Sequence, residues 1–138
     1  MGKKNKSTFL DNLKEFIPKG GKPISYIYFV VSLISRKHTY KNRVKIGVSQ
    51  NPHERIRNLQ VGNPYELSLW YTFPVDADKA LYLEDQLHLK FKWSRIRGEW
   101  FQIHKCVPKF INEHRKLAYE YKHNPMFGRK YILRKQSE

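Results

Sequence analysis

The chain has a single cysteine in 138 residues, Cys106. No intramolecular disulfide can form, and without a CxxC pair a structural zinc site is not expected. Acidic residues are scarce: 12 Asp and Glu stand against 27 Lys and Arg, for a formal net charge of +15. Such an imbalance costs stability through self-repulsion, and a polyanionic partner is the usual offset. Basic residues run along the whole chain, which favours a wide phosphate-facing surface over one basic tail. Long apolar runs are missing as well. No stretch approaches transmembrane length, and no apolar signal core follows Met1-Gly2-Lys3-Lys4. These absences point away from a membrane and towards an intracellular protein in a reducing compartment. No internal repeat or low-complexity segment is visible, and no helix-turn-helix or zinc finger is appended.

Hydrophobic residues make up 40% of the chain, enough for one folded domain with a single core. Three parts are expected. Residues 1–23 form a basic N-terminal extension with a short helix around Phe9 to Ile17, ended by Pro18-Lys19-Gly20-Gly21. Residues 24–104 form the central domain, and 105–138 a C-terminal helix and basic tail. Within the centre, 24–34 (ISYIYFVVSLI) is β-branched and aromatic and reads as a buried strand. A basic loop from Arg36 to Arg43 leads into an antiparallel strand, Val44 to Val48. Asn51-Pro52-His53-Glu54 is a helix start, with an N-cap, a proline at the first helical position and a capping-box glutamate. That helix runs to Val61. Glu66 to Val75 is a third strand, and Asp76 caps a helix over 77–92. Residues 95–103 hold a turn and a short extended piece. A last helix runs from Lys105 to Tyr121, with Val107, Phe110, Ile111, His114, Leu117 and Tyr121 on one face. Cys106 packs there as a small hydrophobe. The fold class is α/β (α+β), a small sheet of three strands with helices packed on it.

Several side chains could carry chemistry. On the helix over 77–92, Ala80, Leu83, Leu87 and Phe91 define an apolar arc, with Glu84 inside it and His88 at its edge. A carboxylate aimed at a core must be paired or hold a metal. Glu84 is therefore either structural glue for a buried arginine or the anchor of one hard divalent cation, Mg²⁺ foremost. Tyr26 and Tyr28 share a strand face, and Lys45 and Gly47 share one on the next strand. If Tyr28 and Lys45 lie together, the ammonium would favour tyrosinate; otherwise Tyr28 is a packing residue. Gly47 is a close-approach point or only a strand end. Arg55, one turn after its cap, could clamp a phosphate or be an ordinary surface arginine. His88, one turn from Glu84, is a better proton shuttle than His53. Arg57 reads as a backbone-phosphate contact. Trp100, in Glu99-Trp100-Phe101, either packs or stacks on a base, and Trp70-Tyr71 reads as core and rim.

Taken in order, these residues resemble the GIY-YIG nuclease superfamily. Tyr26-Ile27-Tyr28 corresponds to its GIY element and Lys45-Ile46-Gly47 to its YIG element. Gly47 through Arg55 is similar to the family's run from that glycine to its catalytic arginine, and Glu84 falls at its metal-binding glutamate. Leu59-Gln60-Val61-Gly62-Asn63-Pro64, Leu87-His88, Phe91 and Gly98-Glu99-Trp100-Phe101 resemble a phage- and virus-rich branch in which KIG replaces YIG. The resemblance covers residues 24–104. It implies a three-stranded antiparallel sheet with flanking helices, and one Mg²⁺ or Mn²⁺ at Glu84. It implies hydrolysis of DNA phosphodiesters, duplex DNA foremost, with Tyr28 as base or water-positioner and Arg55 as clamp; beside these, Lys45 either replaces a lost hydroxyl electrostatically or leaves the site slow, and His88 is the candidate proton shuttle. One such site per monomer makes a nick the default product, in a bacterial or virus-infected cell. Two departures stand out: Tyr26 replaces the first glycine, and Lys45 replaces one of two active-site hydroxyls. No asparagine lies a dozen residues past Glu84, where Ile96 is found. The competing expectations are a non-catalytic DNA- or RNA-binding module of the same fold and a small basic ribosome-associated protein.

Overall fold

The computed structural model describes residues 22–103 and 106–124, with Leu13, Phe16, Pro18, Gly20 and Met126 as isolated positions. The helix expected around Phe9 to Ile17, the end of the tail and the packing of the Cys106 side chain lie outside the described residues. The order is β1 (Ile24–Leu33), β2 (Arg43–Ser49), α1 (Pro52–Gln60), β3 (Glu66–Asp76), α2 (Ala80–Lys90), β4 (Arg95–Arg97), β5 (Trp100–Gln102), α3 (Cys106–Glu113) and β6 (Tyr119–Glu120).

β1 is the central strand, and its continuous apolar run has a simple cause: both of its faces are covered. Ile27, Phe29, Val31 and Leu33 enter the main core with Val44, Ile46, Phe73, Phe101 and the inner faces of α2 and α3. On the other face, Tyr28 and Val30 join Leu67 and Leu69 beneath Ile56 and Leu59 of α1. The β1–β2 connection is fixed by buried Asn42, whose Oδ1 accepts from the Ile34 and Ser35 amides at 2.7 and 2.8 Å. α1 starts as its sequence dictates: Asn51 Oδ1 accepts from the Glu54 amide at 3.2 Å, and Pro52 occupies the first turn. Its end is tied to β3 by Gln60, whose Oε1 accepts from the Leu67 amide at 2.8 Å and whose Nε2 donates to the Tyr65 carbonyl at 2.9 Å.

Three expectations are corrected. The sheet has six antiparallel strands among the described residues, in the order β4-β5-β2-β1-β3-β6, not three. The expected three form its middle. The added strands are two or three residues long, too short for a readable alternation. The last helix does not reach Tyr121. It closes after Glu113, where the His114 amide is shared between the Phe110 and Ile111 carbonyls, and a 3₁₀ turn at Arg115–Leu117 leads into β6. Tyr119 and Tyr121 flank that ending; aromatics suit a sheet edge better than a helix end. Finally, Trp70 and Tyr71 are both core residues. The register between β1 and β3 slips so that Phe29 faces Tyr71 and Val30 faces Leu69, leaving Trp70 as an extra residue. A bulge of this kind lets two consecutive side chains reach one face.

The Asp76 side chain makes no capping bond; a 3₁₀ turn, Ala77–Lys79, precedes α2. Among the described residues no helix is long and apolar enough to cross a membrane.

Candidate functional site

The site lies on the α1 side of the sheet, where β1 and β2 face each other. Tyr28 and Gly47 are cross-strand partners, as are Val30 and Lys45. Opposed residues of an antiparallel pair share a face, so Tyr28, Lys45 and Gly47 stand together. The contact between the first two partners is intimate: a Cβ on Gly47 would stand 2.6 Å from Cζ of Tyr28. Gly47 is thus a close-approach point, and what approaches is the phenol ring. Tyr28 is only 1% exposed, so the ring is held as a core residue and its hydroxyl as the functional end.

Arg55 reaches that hydroxyl from α1. The Asn51 cap and Pro52 fix the helix start, and the Arg55 amide closes the first turn on the Asn51 carbonyl at 3.0 Å. The exposed guanidinium is near enough to the Tyr28 hydroxyl for each to shift the pKa of the other. Burial pushes the Tyr28 pKa up and outweighs the lowering by Arg55. The phenol is therefore neutral at ordinary pH. Tyr28 in turn holds Arg55 more firmly protonated.

Lys45 shares the face but not the task expected of it. Its Nζ lies 2.6 Å from Oε1 of Glu99 and 5.9 Å from the centre of the Trp100 ring. The cation acting on the Tyr28 hydroxyl is Arg55, opposed by the charges of Glu99 and Glu84. Glu99 is the residue that sequence reasoning did not single out. The available signal was Lys45 itself, since a lysine on a buried face needs an anion opposite it. β5 supplies one by setting Trp100 opposite Lys45, with Glu99 just before it.

α2 packs on the opposite face, yet two of its side chains come round to this site. β5 pairs with β2 as far as Lys45 and the Ile46 amide still bonds the Glu99 carbonyl at 3.1 Å, while α2 packs against β2 from the other side. His88 Nε2 lies 2.9 Å from the Ile46 carbonyl oxygen, which can only accept. Nε2 therefore carries a hydrogen and is committed to the backbone, which makes His88 a positioning residue for β2. Glu84 is 8% exposed, and its Oε2 lies 4.0 Å from His88 Nε2. Among the described residues no donor hydrogen-bonds its carboxylate, and the arginine near it, Arg55, is exposed rather than buried. The pairing with a buried arginine is thus not what is found. Burial first, then the charges of Glu99 and Asp85, lift the Glu84 pKa to about 7, against the lowering by Lys45 and Arg55.

Tyr28, Arg55, Glu84 and the Lys45–Glu99 pair are therefore one electrostatic group, with His88 behind it. His53 and Arg57 are elsewhere on α1, lining a cavity of about 290 Å³ with Ile56, Leu67 and His123. The His53 ring meets that of Tyr121 at 5.6 Å. No group of three or more His, Cys, Asp and Glu side chains that could hold a metal ion is found among the described residues. One carboxylate is enough for magnesium, which keeps several waters, and a carboxylate raised by burial and then by like charges, with no hydrogen-bond donor among the described residues, fits a hard cation.

Residues 25–118 match the T5orf172 domain, and the chain belongs to that family. It is also similar to the KilA-N domain-containing protein 315L of Invertebrate iridescent virus 6, with 33% identity over 130 residues. That alignment covers 86% of this chain and 53% of the viral protein, so the chain spans about half the length of this relative. No solved structure matches the chain at a significant level.

Proposed function

We propose that this T5orf172 domain is a GIY-YIG-type endonuclease that hydrolyses DNA phosphodiesters with one divalent metal, Mg²⁺ or Mn²⁺, at Glu84. The observation that carries the reading is that the Tyr28 hydroxyl, the Arg55 guanidinium and the Glu84 carboxylate lie within reach of one another's charge, drawn from a strand and two helices on opposite faces of the sheet. A divalent ion supplies Lewis-acid polarisation of a phosphoryl oxygen and steadies the leaving oxygen. The protein's own residues do the rest. Arg55 sets its charge beside the Tyr28 oxygen and has N–H groups in its planar fork for a phosphate oxygen. A neutral Tyr28 cannot act as a preformed tyrosinate. It retains its proton and lone pairs, and so orients the attacking water instead. Lys45, neutralised by Glu99, replaces a hydroxyl with a cation held close to the site but directed sideways. A non-catalytic nucleic-acid-binding module is the second reading, and this diverted lysine is the observation that favours it. DNA as partner is supported by the net charge and by the KilA-N domain named in the viral relative.

The test is cleavage of supercoiled plasmid with Mg²⁺, with EDTA, and with Arg55→Ala. Open circles that require metal and fall by about 10²–10³-fold without Arg55 are expected, from the usual loss on removing a transition-state charge partner. Metal-independent binding with no product on any DNA would select the second reading. In either case affinity should drop by orders of magnitude from about 50 to about 200 mM salt, as expected when ~6–10 phosphates are neutralised. Filter binding across that range checks it; a flat response would remove nucleic acid as the main ligand.

A further inference from the structure

Trp93 is 87% exposed, the most exposed of the large hydrophobic side chains among the described residues. Isolated exposed leucines need no explanation, but a tryptophan held in water forfeits the largest apolar burial a side chain offers. The setting is not a loose loop. Phe91, fully buried, packs its ring against those of Phe101 and Phe110 just before Trp93. Just after it Ser94 is buried, its amide bonded to the Phe91 carbonyl at 2.8 Å. The indole is thus displayed from a 3₁₀ turn, Lys92–Ser94, anchored on both sides.

Its charged neighbours along the chain are of one sign. Lys90, Lys92, Arg95 and Arg97 are all exposed, and no acidic residue occurs between Lys90 and Gly98. The Lys92 Nζ lies 5.1 Å from the centre of the Trp93 ring. Arg95 Nε donates to the Gly98 carbonyl at 2.7 Å and closes the β4–β5 hairpin, which bears Glu99 to the site. The turn that displays Trp93 therefore leads straight into the strand pair that completes the catalytic group. Trp100, the other candidate for stacking, is half-buried beside Lys45 and packs on the second core cluster.

We infer that Trp93 is a base-stacking platform, with Lys90, Lys92, Arg95 and Arg97 as its phosphate-binding rim, and that it takes an unpaired or unstacked nucleotide of the DNA bound at the site. The inference rests on the nucleic-acid reading above and extends it to the conformation of the DNA. A cationic rim excludes an acid-poor or basic partner and attracts a polyanion. An indole face offered to solvent pairs with any base whose own face is open, which an intact duplex does not present and a single strand or a kinked step does. The protein then holds DNA in a locally opened form while the phosphate is cut.

Tryptophan fluorescence reads this out directly. The full chain in EDTA, where no cleavage can occur, is titrated with a short single strand, its perfect duplex, and that duplex carrying one unpaired nucleotide. The expected result is quenching by the single strand and by the interrupted duplex, absent in Trp93→Phe to the extent that Trp93 is the reporter. Trp93→Ala should lose about tenfold in affinity for those two probes and little for the perfect duplex, the loss expected for one base stack. Its salt slope should stay unchanged and its far-ultraviolet circular dichroism native. Equal affinity of Trp93→Ala and wild type for all three probes overturns the inference while leaving the DNA reading intact. No binding by the wild type overturns both.

Discussion

Glu84→Gln is expected to stabilise the metal-free protein above pH 7 while abolishing metal-dependent cleavage. The Glu84 carboxyl is lifted from 4.5 to about 7 in the folded chain, chiefly by burial. Between those two values the folded state binds a proton that the unfolded state has released, so stability falls as pH rises through that window. Above about pH 7 the full cost is present, on the order of 3 kcal/mol, and the curve flattens. Glutamine has nothing to ionise, so the variant lacks this slope. For a chain of this size the difference corresponds to roughly 10 °C in Tm at pH 8 and little at pH 4.5. Thermal denaturation of both proteins in EDTA from pH 4.5 to 8 checks it, the wild-type-minus-variant difference cancelling all other titrating groups. Parallel curves would mean that Glu84 titrates normally. Adding Mg²⁺ at pH 8 should raise the wild-type Tm and change the variant's far less, because a neutral amide oxygen holds the ion much more weakly than a carboxylate. Cleavage by the variant should fall by about 10³-fold or more. A gain in stability coupled to loss of activity would mark Glu84 as a residue kept at a stability cost for its chemistry.

Gly47→Ala is the second change with a large expected effect, and it acts through a neighbour. The added methyl would stand on the Tyr28 hydroxyl and 2.6 Å from its ring carbon. Tyr28 has no room to retreat, since Val30, Leu67 and Leu69 fill the cluster around it. Either the β1–β2 ladder parts locally or the ring swings away from Arg55. Overpacking of this kind costs about 1–3 kcal/mol, and a displacement of the hydroxyl by ~1 Å can cost about 10²-fold in rate. Tyr28→Phe removes the hydroxyl with no added volume, so it should lose cleavage with a much smaller change in Tm. In the Tyr28→Phe background, Gly47→Ala should still destabilise but cost almost no further activity. Single-turnover cleavage and Tm for the two single variants and the double variant read both quantities. Additive activity losses would show that Gly47 acts by some route other than the position of that hydroxyl.

How much of this was legible in the sequence depends on the length of the signal. The ten residues of β1 and the eleven of β3 carry enough β-branched and aromatic side chains to be read as strands. Asn51-Pro52 with Glu54 fixes the start of α1 to the residue, and with it the placing of Arg55 one turn on. Tyr28 and Gly47 follow from alternation along two strands once these are paired. Glu84 was legible as a carboxylate within an apolar arc. What failed was either short or relational. β4, β5 and β6 are too brief to show a period, and Leu117 and Tyr121 keep helical spacing although the backbone between them is not helical. The bulge at Trp70 shifts faces by one residue without any local marker. Glu99 joins the site only through the β2–β5 register, and His88 spends its nitrogen on a carbonyl that sequence cannot place.

The brevity of the outer strands has a consequence for how DNA could be cut on both strands. The sheet ends at one side on a three-residue strand bearing Arg95 and Arg97, and at the other on two residues, Tyr119–Glu120. The outermost strands among the described residues are short, and the arginines of β4 repel a copy of themselves, so neither strand favours pairing with a second chain. If two such centres act on one break by meeting on the same DNA, the second cut would depend on the concentration of protein along that DNA.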